Sequence, residues 1–301
     1  MAIERWLMRG LVILGVSLPS AVAPAKVQMR ALAADLSASI KLLDGPMRID
    51  AEQFTIRLVD DYRYINAKDT SRILIEAWGN PAQQIADQKP LGMIVPKDFI
   101  EQGALWGVVV TASHDGHIID KDADKIDYDG LLEKMRDDAK FANQERKSAG
   151  AALITSIDWA TEPHHDSLSH KIYWAKEITF GRSPVPTLNY AVRILGRENT
   201  INFNAVGSMD RFAGISAAMQ TVLAFSEFDV GYRYQDFNPK YHRVATYGLP
   251  GLVAGQMITK LTALKAVLHQ LLSSSKLFVA GLSGLAVVLG RFLGRKKPPE
   301  A

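Results

Sequence analysis

The chain contains no cysteine among its 301 residues. That excludes a disulfide framework, a thiolate metal site and a cysteine nucleophile, and it leaves the compartment open, because large exported domains often fold without disulfides. Several well-marked chemistries lack their patterns as well. There is no Gly-x-Ser-x-Gly elbow, no P-loop, no dinucleotide-binding glycine fingerprint and no His-Glu-x-x-His zinc helix. Internal repeats and long low-complexity linkers are absent, so one domain is expected rather than two. Long apolar runs are missing from the middle of the chain and occur only at its ends.

Positive charge is scarce in the middle too. The total is +3, but the first 25 residues carry +1 and residues 249–301 carry +6, which leaves −4 on residues 26–248. A nucleic-acid partner is therefore not expected, and the basic charge sits beside apolar segments, where a membrane surface accounts for it.

Arg5 and Arg9 precede an apolar run from Gly10 to Ala23, followed by small residues at Ala21, Ala23 and Ala25. Residues 1–25 read as a signal peptide, or as an N-terminal anchor if uncleaved; both place the following domain outside the cytoplasm. Near the other end, residues 277–294 read LFVAGLSGLAVVLGRFLG. At 1.5 Å per residue this run spans roughly 27 Å, enough for a thin bilayer, with Arg291 able to snorkel. Residues 249–272 are also apolar but contain Lys260 and Lys265, each costing roughly 2.5–3.5 kcal/mol at mid-membrane. They read as an amphipathic helix lying on the bilayer or against the domain. The basic tail at 295–301 belongs inside by the positive-inside rule, so a single span satisfies both the export signal and the charge bias. The expected location is the bacterial inner membrane with the main domain outside.

Between these ends, residues 35–248 show mixed periodicity. MRID at 47–50, FTIRL at 54–58, YRYI at 62–65, LGMIV at 91–95 and LWGVVV at 105–110 are strand candidates. Helices are expected at 67–78, at 128–149 with Asp127 or Asp129 as cap and Gly150 as stop, and at about 208–225 with Ser208 as cap. Four strands at 152–159, 170–180, 187–195 and 200–206 lie between the last two helices. Leu153, Thr155, Ile157 and Trp159 alternate onto one face of the first of these. The order predicts an α+β fold, an antiparallel sheet packed with helices, followed by the amphipathic helix and a C-terminal transmembrane helix. In the 187–206 hairpin Leu188, Tyr190, Val192 and Ile194 point to the core. Asn189 and Arg193 share the opposite face with Asn202 and Asn204, an array of directional groups suited to a polar ligand or to an Arg193–Asp236 pair.

Other clusters carry less chemistry. Asp120, Asp122 and Asp124 have calcium-loop spacing, but Lys125 stands where the loop needs glycine and Leu131 where it needs glutamate. His114, Asp115 and His117, and likewise His164, His165 and Asp166, read as polar turns, and neither a metal site nor a cofactor is expected. Residues 228–249 interleave Tyr232, Tyr234, Tyr241 and Tyr247 with Arg233, Asp236, Lys240 and Arg243, an arrangement suited to gripping a ligand or to an interfacial belt.

WGNP at 78–81, DGHIIDKDADKIDYDGLL at 115–132, WA at 174–175, NYAVRILGR at 189–197, GYRYQDF at 231–237 and ATYGL at 245–249 are similar to stretches of one bacterial envelope family. The chain resembles the membrane-anchored proteins grouped as domain of unknown function 2167. His164–His165 departs from the tyrosine expected beside Asp166. The resemblance implies an envelope location and one domain, and brings no activity, cofactor or catalytic residue with it. Two readings follow. One is a membrane-anchored domain that binds another envelope protein or a small polar ligand, through Asn189, Arg193, Asn202, Asn204, Tyr232, Arg233, Tyr234 and Asp236. The alternative is an envelope hydrolase using His114, His117, Asp120 and the Asn189/Arg193 face, with catalytic residues otherwise unknown.

Overall fold

Period-2 apolar segments separated by polar turns become antiparallel strands, and the amphipathic segments between them become helices laid over the sheet. The computed structural model describes residues 39–99, 106–120, 123, 126–224 and 226–253. The chain divides into two units, Met1–Met257 and Ile258–Ala301, and all described residues belong to the first. The signal segment at 1–25, most of 249–272, the apolar run at 277–294 and the basic tail lie outside the described residues. Among those described, no helix is long and apolar enough to cross a membrane.

In chain order the elements are β1 (Pro46–Ile49), β2 (Phe54–Arg57), β3 (Tyr62–Asn66), α1 (Ala67–Arg72), which widens into a looser turn over Ile73–Ala77, and α2 (Ala82–Gln88). Next come β4 (Gly92–Pro96), β5 (Gly107–Ser113), α3 (Tyr128–Ser148), β6 (Ile154–Asp166), β7 (Lys171–Phe180), β8 (Thr187–Leu195) and β9 (Thr200–Ser208). The last are α4 (Phe212–Ala224), β10 (Ser226–Phe228) and α5 (Leu249–Val253). Seven strands form one sheet in the order β3-β4-β5-β9-β8-β7-β6, and β1-β2-β10 form a smaller one. Every pairing between these strands is antiparallel.

The main core lies on the face that alternation assigns to it. Leu188, Tyr190, Val192 and Ile194 of β8 pack with Phe203 of β9 against Phe54 and Ile56 of the small sheet and Ile215 and Met219 of α4. The opposite face carries further apolar clusters, so the large sheet is covered on both sides. Local signals explain the helix ends. The Asn66 side chain accepts from the Asp69 amide at the start of α1, and Asp127 accepts from the Gly130 amide at the start of α3. Gly150, at φ +68°, supplies the left-handed turn that stops α3.

Two local expectations are corrected. Along β6 the buried residues are Ile154, Ile157 and Pro163, while Leu153, just before it, and Thr155 are exposed. A register shift between Ile154 and Ser156 inserts a residue and breaks the simple alternation. Ser208 makes no side-chain cap, because a 3-10 turn at Met209–Arg211 leads into α4 instead. The short α2 and β10 carry too few residues for a periodic signal.

Candidate functional site

On the face of the large sheet turned away from the main core, a row of polar side chains crosses three strands. Asn189 and Arg193 stand on β8, Asn202 and Asn204 on β9, and Lys176 on β7. The register sets Arg193 beside Asn202 and Asn189 beside Lys176. These residues are brought together as alternation predicts, but the face is not an open surface. Asn189 and Asn204 are 1% exposed, Lys176 5% and Arg193 7%. A second apolar layer accounts for this cover. Met135 of α3 and Leu249 and Leu252 of α5 pack with Trp174 and Ala191 on one side of the row, and Trp78 and Met93 pack with Val109 and Val206 on the other.

Within the row, Arg193 Nη1 donates to Asn204 Oδ1 and to the Val192 carbonyl, both at 3.2 Å. Its guanidinium lies 4.7 Å from the Trp174 ring centre, in cation–π contact. Asn202 Nδ2 donates to Thr111 Oγ1 at 3.2 Å. Four buried polar atoms remain without a hydrogen bond: the donors Asn189 Nδ2, Asn204 Nδ2 and Trp174 Nε1, and the acceptor Asn202 Oδ1. Among the described residues no carboxylate forms an ion pair with Lys176 or Arg193. Burial, reinforced by the charge of Arg193, pushes Lys176 down to about 7. Burial likewise pushes Arg193 down to about 9, opposed in part by Tyr247. The arginine thus stays charged at neutral pH, while the lysine is poised between its two forms.

The expected Arg193–Asp236 pair does not form. Asp236 Oδ2 instead accepts from the amides of Gly231 and Arg233, at 2.8 and 2.9 Å, and closes the turn at Tyr234–Asp236. Arg233 pairs with Glu227, and Tyr232 lies under Arg197, with the guanidinium 4.4 Å from its ring centre. The residues expected to act as one ligand grip thus serve separate contacts.

Tyr234 leads to a second cluster. Its hydroxyl donates to Asp120 Oδ1 at 2.9 Å, and Asp120 Oδ2 lies 2.9 Å from His170 Nδ1 and 3.1 Å from His165 Nε2. His165 stands next to the end of β6 and His170 stands at φ +50° in the turn before β7, so the hairpin brings both rings to the loop that follows β5. The turn is tied by Asp166, which accepts from the Ser169 hydroxyl at 2.5 Å and from the Leu168 and Ser169 amides. His170 stacks on Tyr234, and His117 stacks on Phe237 with ring centres 3.8 Å apart. Burial raises the Asp120 carboxyl, but hydrogen bonds from His170 and Tyr234 more than offset it and hold the group below its ordinary value. Burial pushes the His117 imidazole down and favours its neutral form; its Nδ1–H donates to the Arg197 carbonyl at 3.2 Å. Sequence spacing has no signal for this cluster, because its members come from three separate segments. Asp122 and Asp124, the remainder of the calcium-like run, lie outside the described residues.

The residues named for a hydrolase do not form one site. His114 pairs with the buried Glu52 at 2.9 Å in a groove also lined by Asn199, Arg197 and Tyr232. His117 and Asp120 belong to the aromatic cluster, and Asn189 and Arg193 to the buried row.

Fold and site together define an antiparallel α+β domain with a cation- and amide-lined row sealed between its layers and a histidine–aspartate–tyrosine cluster beside one hairpin turn. The chain belongs to the family described as protein of unknown function (DUF2167), whose model matches residues 42–286. No curated protein matches the sequence. Among solved structures, that of cyanobacterial PsbP (CyanoP) from Synechocystis sp. PCC 6803 aligns over 61% of this chain and 91% of its own, at 9% identity and a TM-score of 0.35. That score is too low for the likeness to bear on fold or function.

Proposed function

We propose that this protein is a membrane-anchored extracytoplasmic domain of the bacterial envelope that binds a small polar anion in the row around Arg193. One observation carries the reading: the Arg193 guanidinium and the Lys176 amine are both buried in one row beside orphaned donors, and among the described residues no carboxylate pairs with either. An unpaired buried donor costs about 1–3 kcal/mol and a buried unpaired charge several more. Three orphaned donors against one orphaned acceptor favour a ligand that presents oxygen acceptors, namely a phosphate or carboxylate group. The test is a thermal melt of the full chain in detergent, titrated separately with inorganic phosphate and with succinate. A ligand present at about 100 times its Kd stabilises by about 2.7 kcal/mol, or roughly 5–10 °C for a domain of this size. At least one of the two anions is expected to give such a rise, and the double variant Lys176→Met/Arg193→Met is expected to fold yet lose it. No rise with either anion, or a rise retained by the double variant, rejects the site.

The anchoring half of the proposal rests on residues 277–294 and the basic tail. A reporter active only outside the cytoplasm is expected to work when fused after Phe225 and to fail when fused after Lys297. Activity at both positions would mean that the tail is outside and the single-span orientation is wrong.

A further inference from the structure

We propose that Asp120, His165 and His170 form a binding site for one divalent transition-metal ion of the zinc class. Their donor atoms all lie within 4.8 Å of one another. The two edges that meet at Asp120 Oδ2 measure 2.9 and 3.1 Å. An ion bound at about 2.0–2.1 Å to each donor separates tetrahedral neighbours by roughly 3.3 Å. The cluster therefore needs adjustments of only a few tenths of an ångström at those edges to accept the ion.

A second observation points the same way. The His165 side chain is 8% exposed, and its Nε2 is buried without a hydrogen bond. The 3.1 Å approach to Asp120 thus has the separation of a hydrogen bond without its alignment. Two lone pairs facing a common point have that geometry, and a cation between them satisfies both. The surroundings suit such a role. Tyr234 donates to Asp120 Oδ1 and leaves Oδ2 toward the two rings, as outer-shell partners do for ligating carboxylates. Two imidazoles and one carboxylate select zinc and its transition-metal neighbours over magnesium or calcium, which prefer all-oxygen sites. Three protein donors leave a coordination position open to water or to an exogenous ligand. The site shares no residue with the row around Arg193, so either proposal can fail without the other.

The experiment is metal uptake by the full chain in detergent, stripped with chelator and dialysed against Zn²⁺ alone, with Mg²⁺ and Ca²⁺ as controls. One zinc per chain is expected, together with a higher melting temperature and no response to the controls. The double variant His165→Ala/His170→Ala is expected to lose affinity by more than the roughly 10–100-fold that removal of an outer-shell partner costs, and Tyr234→Phe to lose an amount within that range at unchanged stoichiometry. The double variant Lys176→Met/Arg193→Met is expected to bind zinc as the unaltered chain does. Absence of stoichiometric uptake, or uptake undiminished in the double histidine variant, overturns the proposal and leaves an ordinary histidine–aspartate pair. If the double variant fails to fold, the unaltered chain decides the matter with Co²⁺: a visible spectrum without tetrahedral or five-coordinate bands overturns the site. His170→Gln, a change at a partly exposed turn residue, adds a folded variant expected to bind more weakly.

Discussion

Val192→Asp is expected to leave no cooperatively folded protein. Val192 is fully buried on β8, paired with Tyr173 on β7 and Phe203 on β9, and belongs to the cluster that joins the two sheets. A carboxylate there would have no partner, and an unpaired buried charge costs several kcal/mol. Domains have only about 5–15 kcal/mol of stability in all. Val192→Ala, which removes two methyl groups, should cost roughly 2 kcal/mol and keep a cooperative transition. Urea denaturation followed by circular dichroism distinguishes the two. Arg193→Ala, one residue along and on the opposite face, is expected to shift the midpoint far less than Val192→Asp while abolishing the response to anions. If it lowers the midpoint as much as Val192→Asp does, Arg193 is a structural residue and the row is not a binding site.

Lys176→Met is expected to raise stability at neutral pH and to flatten its pH dependence. The lysine falls from an ordinary 10.5 to about 7 in the folded chain. Between those values the unfolded chain holds a proton that the folded chain has released, so the stability of the unaltered protein rises with pH across that window. Below pH 7 both states are protonated and the full cost of burying the charge is felt. Replacing a buried charge with a packed apolar side chain commonly gains about 1–4 kcal/mol. The variant should therefore lead at pH 6.5, with the gap closing as the pH approaches 10. Urea midpoints of both proteins at pH 6.5, 8 and 9.5 provide the measurement, and parallel curves would show that Lys176 does not titrate as its burial requires. The same linkage applies to ligand: a bound anion keeps the proton on Lys176, so stabilisation by phosphate should weaken as pH rises above neutrality.

Alternation in β8 and β9 was sufficient to place Leu188 and Val192 on one side and Asn189 and Arg193 on the other. It says nothing about what lies above each side. The cover over Arg193 comes from residues around Met135 and Leu249, more than 50 positions away in either direction, and no local pattern links them to the hairpin. Asp127 as a cap and Gly150 as a stop were legible because both act on their own neighbours. The Asp120, His165 and His170 cluster was not, because its geometry depends on where the 166–170 turn falls relative to the loop after β5. His165 reads as a turn residue only until β6 is seen to continue to Asp166, past the three register shifts.

Those shifts matter at the border of the sheet. β6 is the last strand of the large sheet, with no further strand beyond it among the described residues, and a long unpaired border is a template for a strand from another molecule. Here the run is broken between Ile154 and Ser156, Trp159 and Thr161, and Thr161 and His164. It also contains Pro163, which offers no amide, and the charged side chains of Asp158 and Glu162. No stretch of β6 keeps enough regular, flat backbone to zip onto an incoming chain. The opposite border, β3, is only five residues long, and Leu43 bridges its Tyr64. Strand addition is thereby disfavoured at both borders of the large sheet, so crowding of many copies should not drive edge-to-edge polymerisation there, and a partner docking at those borders must be recognised by side chains rather than by backbone.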